Sequence, residues 1–174
     1  MIFSLKGNLI ALIFVLTVVS FHYSYGQVKK VQSGIVYYFT QYVEWPADKQ
    51  QGDFEIAVLG DDDIVRHLQD MAKVRKVGSR KIIVTNIGDI SEAQNSSIVF
   101  LPKSRQNQLS SIMSFTMANS ILLVSEGDQV ASDGACIGFI LKSGKPAFEI
   151  NTASVAASNL KVSAKLTSLG TVVK

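Results

Sequence analysis

Cysteine, histidine and proline are all scarce in this sequence, and each shortage closes off a class of chemistry. The one cysteine among 174 residues, Cys136, has no partner for an internal disulfide. The two histidines, His22 and His67, fall far short of the several histidine or cysteine ligands that a zinc site needs. Only 18% of the residues are charged and the formal net charge is +3, with the basic residues scattered. That balance gives no electrostatic footprint for nucleic acid. No Gly-x-Ser-x-Gly elbow is present, and without a partner histidine a serine hydrolase is not supported. No apolar run reaches the roughly 20 residues that a membrane-spanning helix requires, so stable membrane insertion is not expected. With three prolines, and no repeat, linker or low-complexity tract, the chain reads as one domain.

The first 26 residues are of a different character from the rest. Lys6 is a lone positive charge ahead of an apolar run from Leu9 to Phe21, and Ser24-Tyr25-Gly26 places small residues around a cleavage point. These are the three regions of a secretory signal peptide, residues 1–26, which makes Gln27 the expected mature start and the periplasm the expected compartment. No cysteine follows the leader, so lipid attachment there is not expected.

Residues 27–174 alternate between helical and strand periodicities. Val28 to Glu44 predicts an amphipathic helix whose inner face carries Val28, Val31, Ile35, Tyr38, Phe39, Tyr42 and Val43, with Lys29, Lys30, Gln32 and Gln41 elsewhere. Pro46 stops it, because a residue before proline is pushed out of the helical region. Strands follow at Phe54–Gly60, Lys81–Ile87, Ser97–Leu101 and Ser120–Ser125. Helices lie between them, from Asp61 to about Ala72 and from a Ser104 cap to about Met117. Cys136–Leu141 and Ala147–Ile150, around Lys142-Ser143-Gly144-Lys145, predict a β-hairpin. Asn151 or Thr152 is placed to cap one short helix, and Ser163 another carrying Leu166 and Leu169. The pattern defines an α/β class: a single-domain three-layer α/β/α sandwich with a largely parallel sheet and a C-terminal β-hairpin.

Candidate chemistry is thin. Cys136, flanked by Ile137 and Phe139, reads as a buried strand residue. Asp61-Asp62-Asp63 at a strand end resembles the magnesium-binding corner of a receiver domain, but the third strand ends in Phe100-Leu101-Pro102-Lys103 and supplies no carboxylate. Three carboxylates would also repel a phosphate. A solvated, helix-opening tip fits them better, with a bound cation as the alternative. No catalytic residue, cofactor site or metal site is assigned. The remaining feature is the corner Tyr42-Val43-Glu44-Trp45-Pro46, which holds the only tryptophan. Either it docks a helix end on the sheet, or Tyr42, Trp45 and Pro46 form an aromatic contact surface for a partner.

Three stretches together resemble a known family. Tyr38-Phe39-Thr40-Gln41-Tyr42-Val43-Glu44-Trp45-Pro46 is similar to its opening helix and Trp-Pro corner, and Ile56-Ala57-Val58-Leu59-Gly60-Asp61-Asp62 to its first strand and acidic turn. Ile137-Gly138-Phe139-Ile140-Leu141, Gly144, Phe148-Glu149-Ile150-Asn151 and Lys161-Val162-Ser163-Ala164-Lys165-Leu166 are similar to its C-terminal signature. By these motifs the chain resembles the YfiR family of bacterial periplasmic proteins. The resemblance implies a non-enzymatic exported regulator that represses a membrane-bound diguanylate cyclase, or another sensor such as a histidine kinase, through that sensor's periplasmic region. It also implies a homodimer. The paired cysteines of some members are missing here, so redox control by an internal bridge is not expected. A periplasmic small-molecule or cation-binding module is the alternative reading.

Overall fold

The computed structural model describes residues 26–173, so the expected signal peptide lies almost wholly outside the described residues. Helix α1 covers residues 26–42 and runs straight into a two-residue strand, β1 (Val43–Glu44). After a 3-10 turn at Ala47–Gln50 come β2 (Phe54–Leu59), α2 (Ile64–Val74), β3 (Lys76–Val77) and β4 (Arg80–Ile87). Then follow β5 (Ile98–Leu101), a 3-10 segment Lys103–Gln108, α3 (Leu109–Ala118) and β6 (Leu122–Glu126). The chain finishes with β7 (Ile137–Lys142), β8 (Lys145–Asn151), α4 (Thr152–Ala157), β9 (Lys161–Val162), α5 (Ala164–Leu169) and β10 (Thr171–Val173).

The main sheet has the order β10-β8-β7-β6-β5-β2-β4-β3. Strands β4, β2, β5, β6 and β7 run parallel, whereas the β7–β8 and β3–β4 pairs are antiparallel. The expected largely parallel sheet with a C-terminal hairpin is therefore present. Strands β2 and β5 are all but fully buried apart from Glu55, as expected for strands covered on both faces. From β2 the chain moves outward to β4, and from β5 it moves the other way to β6. Right-handed crossovers on those paths put α2 and α3 on opposite faces, which gives the three layers. At the hairpin, Ser143 and Gly144 both have positive φ (52° and 74°), as a two-residue turn between right-twisted strands requires.

Three local expectations are corrected. The first helix ends at residue 42, because Val43 and Glu44 pair antiparallel with Val162 and Lys161. Helix α3 starts at Leu109, and a 3-10 segment led by Pro102 takes up the residues assigned to its first turns, with no side-chain cap from Ser104. The third concerns the phase of α1. Its buried residues are Lys29, Gln32, Ser33, Val36, Phe39 and Thr40, while Val31 and Tyr38 are 46% and 52% exposed. The helix is turned from its most apolar stripe towards one that starts with a lysine.

Phe39 fixes that phase at the centre of the sheet. Its ring packs 5.8 Å from Phe139 and edge-on to Phe148 at 5.3 Å. Asn151 ties the hairpin to α4 and to the segment before β7. Its Oδ1 accepts from Ser154 N at 2.9 Å, capping α4, and its Nδ2 donates to Ala131 O at 2.8 Å.

Candidate functional site

In open α/β sheets the usual ligand crevice lies beyond the carboxyl ends of the strands, where the strand order reverses. Here that point falls between β2 and β5, and the chain's own side chains fill it. Lys29 reaches in from α1, with only 1% of its side chain exposed. Its Nζ donates to both Glu126 oxygens at 2.8 and 2.7 Å and lies 2.9 Å from Asp62 Oδ1. It also stands 5.7 Å from the Phe100 ring centroid. Glu126 ends β6 and additionally accepts from the Lys103 backbone N–H at 3.3 Å. Burial opposes the charge on Lys29, but the hydrogen bonds and charges of Glu126 and Asp62 outweigh it and hold the ammonium above its ordinary pKa. The 3-10 segment after β5 completes the closure. Arg105 lies across Gly60 at the end of β2, and Gln106 across Gly127 at the end of β6. Both glycines have positive φ (88° and 134°), and a side chain at either would collide with its neighbour.

The acidic tip divides its work. Asp62 is largely buried against Lys29, and its Oδ1 also accepts from Ile64 N at 2.9 Å, opening α2. Asp61 and Asp63 remain exposed. No group of histidine, cysteine, aspartate and glutamate that could hold a metal occurs among the described residues. His67 lines a groove of about 720 Å³ between α1 and α2, together with Lys30, Gly34, Tyr37, Tyr38 and Arg75, and its Nε2 is buried without a hydrogen-bond partner. Cys136 is buried, and burial pushes its thiol pKa up, which works against reactivity.

The aromatic corner lies at the other end of the sheet. Trp45 is 6% exposed, stands edge-on to Phe54 at 5.1 Å and donates its Nε1–H to Ser97 O at 3.0 Å. It anchors the helix end at the start of β2 and β5. Tyr42 and Pro46 are half-buried. The Tyr42 backbone oxygen accepts from Ser163 N at 2.9 Å, and its ring stacks on Tyr38 with centroids 6.2 Å apart. The structure therefore brings Tyr42 and Pro46 to the surface and places Trp45 behind them.

Sequence reasoning missed Lys29, Glu126, Arg105 and Gln106, which meet only in the fold. One signal was available: Lys29, Val36 and Val43 share a seven-residue spacing, so the lysine stands in line with two apolar residues.

These features define an α/β domain whose ligand crevice is occupied from within and whose distinctive exposed features are aromatic and apolar. The family model described as YfiR/HmsC-like matches residues 29–171, and the chain belongs to that family of periplasmic regulators of diguanylate cyclases, whose members are regulators rather than enzymes. No curated protein matches it at a significant level. Among solved structures, the ABC domain in complex with L-Trp from Streptococcus pneumonia matches with a TM-score of 0.51 at 6% identity, over 70% of this chain and 55% of that one. A conserved domain protein from Vibrio cholerae O1 biovar El Tor matches with a TM-score of 0.47 at 10% identity, over 69% and 54%. The chain thus spans about half the length of these structures, and the first likeness concerns the fold alone.

Proposed function

We propose that this protein is an exported regulator that binds the periplasmic region of a membrane-bound signalling protein and holds it in its inactive state. The signalling protein is a diguanylate cyclase or a similar sensor, such as a histidine kinase. The observation that carries this reading is the filled crevice: where an α/β enzyme or binding protein would seat a small molecule, Lys29 is clamped between Asp62 and Glu126. A domain built that way can still act by covering a neighbour's surface. Repression then requires only that it bind the partner's inactive state more tightly than the active one.

The residues 1–26 leader supports export, and Tyr42, Trp45 and Pro46 form the proposed contact corner. Tyr42 and Pro46 meet the partner, and Trp45 is the buried support that fixes their position. Self-association as a homodimer belongs to the same reading. The test is deletion of the chain in cells that retain the neighbouring membrane sensor. Cyclic di-GMP or kinase output should rise and return to normal on complementation; unchanged output would contradict the proposal.

One observation favours a second reading, a small-molecule sensor. The groove between α1 and α2 has an imidazole nitrogen, His67 Nε2, that is buried without a partner. A bound ligand could satisfy that atom.

A further inference from the structure

We infer that the exposed apolar flank of α1, continued by the uncovered margin of the sheet at β7 and β10, is a seat for an acidic amphipathic helix of the membrane partner. This inference rests on the regulatory reading above and adds the surface and the chemistry that it recognises.

The geometry begins with spacing. Val28, Val31, Ile35, Tyr38 and Tyr42 recur at alternating steps of three and four, the seam that one helix offers to another. Because α1 is phased by Lys29, Val36 and Phe39, this seam is left on its side: Val31 is 46% and Tyr38 52% exposed, and Ile35 and Tyr42 are only partly buried. Such a run on a helix surface is uncommon unless something covers it.

The sheet margin extends the same side. Phe139 pairs with Phe148 and Leu141 with Pro146, so alternation along β7 puts Leu141 on the face that α1 covers through Phe39. Val172 pairs with Ile150 and shares that face. Neither is covered: Leu141 is 61% and Val172 49% exposed.

Charge selects the occupant. Lys165 and, at the hairpin tip, Lys142 and Lys145 are exposed, and none has an ion pair among the described residues. The carboxylates on the same elements are engaged or turned away. Glu44 lies 3.8 Å from Lys161, and Glu149 alternates with Phe148 to the opposite face. A second copy of this chain would bring the same lysines to the same rim, where like charges disfavour docking. An amphipathic helix flanked by glutamate or aspartate would complement both the seam and the rim.

The test is photocrosslinking in cells that contain the membrane sensor, with Tyr38 replaced in the full chain by benzoyl-phenylalanine and an exposed α3 position, Ser110, as control. The expected result is a crosslink from Tyr38 alone, mapping by mass spectrometry to an extracytoplasmic segment with a heptad apolar pattern and flanking carboxylates. Tyr38→Glu, and separately the paired change Lys142→Glu with Lys145→Glu at the exposed turn, should each weaken repression by about tenfold while the thermal midpoint stays unchanged. A crosslink to a second copy, a segment lacking acidic flanks, equal crosslinking from Ser110, or full repression by these variants would overturn the inference. Such outcomes leave the regulatory reading standing as long as deletion of the chain raises the output. A deletion without effect would instead remove that reading.

Discussion

A lysine inside a hydrophobic core is an expensive choice, and Lys29 shows how this one is accommodated. Its ammonium is enclosed by two carboxylates, and one of them, Glu126, is itself held by the Lys103 backbone N–H. Removing one partner of a buried ion pair costs about 3–5 kcal/mol, because the remaining charges lose their compensation. Lys29→Met should therefore lower the urea midpoint by a large part of a typical domain stability, and adding Glu126→Gln should recover some of the loss. The pH dependence is set by the direction of the Lys29 shift. A pKa raised by folding contributes stability that is fully present below the unfolded lysine value of 10.5, and this is lost as the pH rises through the higher folded value. Thermal midpoints should fall across that alkaline window in the wild type, and the Lys29 contribution to that fall should be absent from Lys29→Met. Trp45 and Tyr38 should separate fold from contact. Trp45→Ala is expected to cost about 3–5 kcal/mol in denaturant unfolding, since it empties a buried site and removes the indole bond to Ser97 O, which keeps only the Leu122 N–H. Tyr38→Ala should stay within about 0.5 kcal/mol of the wild type.

At the scale of elements, the hairpin was the most legible part. Ser143-Gly144 between two apolar runs has one physical solution, and the register Lys142↔Lys145 is the expected one. The caps at Asn151 and Ser163 were also legible, because side-chain oxygens before short helical runs have a local role. Asn151→Ala should lower stability by about 1–2 kcal/mol in urea unfolding, since both the α4 cap and the bond to Ala131 O are lost. The short strands β1, β3, β9 and β10 and the phase of α1 escaped local reasoning. β1 is only two residues long, and its partner lies at Lys161–Val162, so no nearby signal announces it. Helix α1 carries two heptad stripes offset by one residue. Val28-Val31-Ile35-Tyr38-Tyr42 is the more apolar, yet the fold buries the one that begins with Lys29 and Gln32. Periodicity identified the helix, but its phase depends on Asp62 and Glu126, which are remote in sequence.

For the whole molecule, the strand–helix alternation was enough to give the class, because fully apolar strands with intervening helices fit a parallel sheet covered on both sides. The candidate site was less legible. The Tyr42 to Pro46 corner was visible as a motif, but only packing shows that Trp45 faces inward and Tyr42 outward. The closed crevice was not visible, since it needs Lys29, Asp62, Arg105 and Glu126 to converge from four separate elements or loops. That closure is what turns attention from small-molecule chemistry to surface. The measurement that tests this most directly is the catalytic output of the purified membrane sensor, reconstituted in vesicles, as the purified protein is titrated from the periplasmic side. Output should fall in a saturable, dose-dependent way, with no substrate consumed by the added protein alone. Sensor turnover that stays constant across the titration would contradict the account.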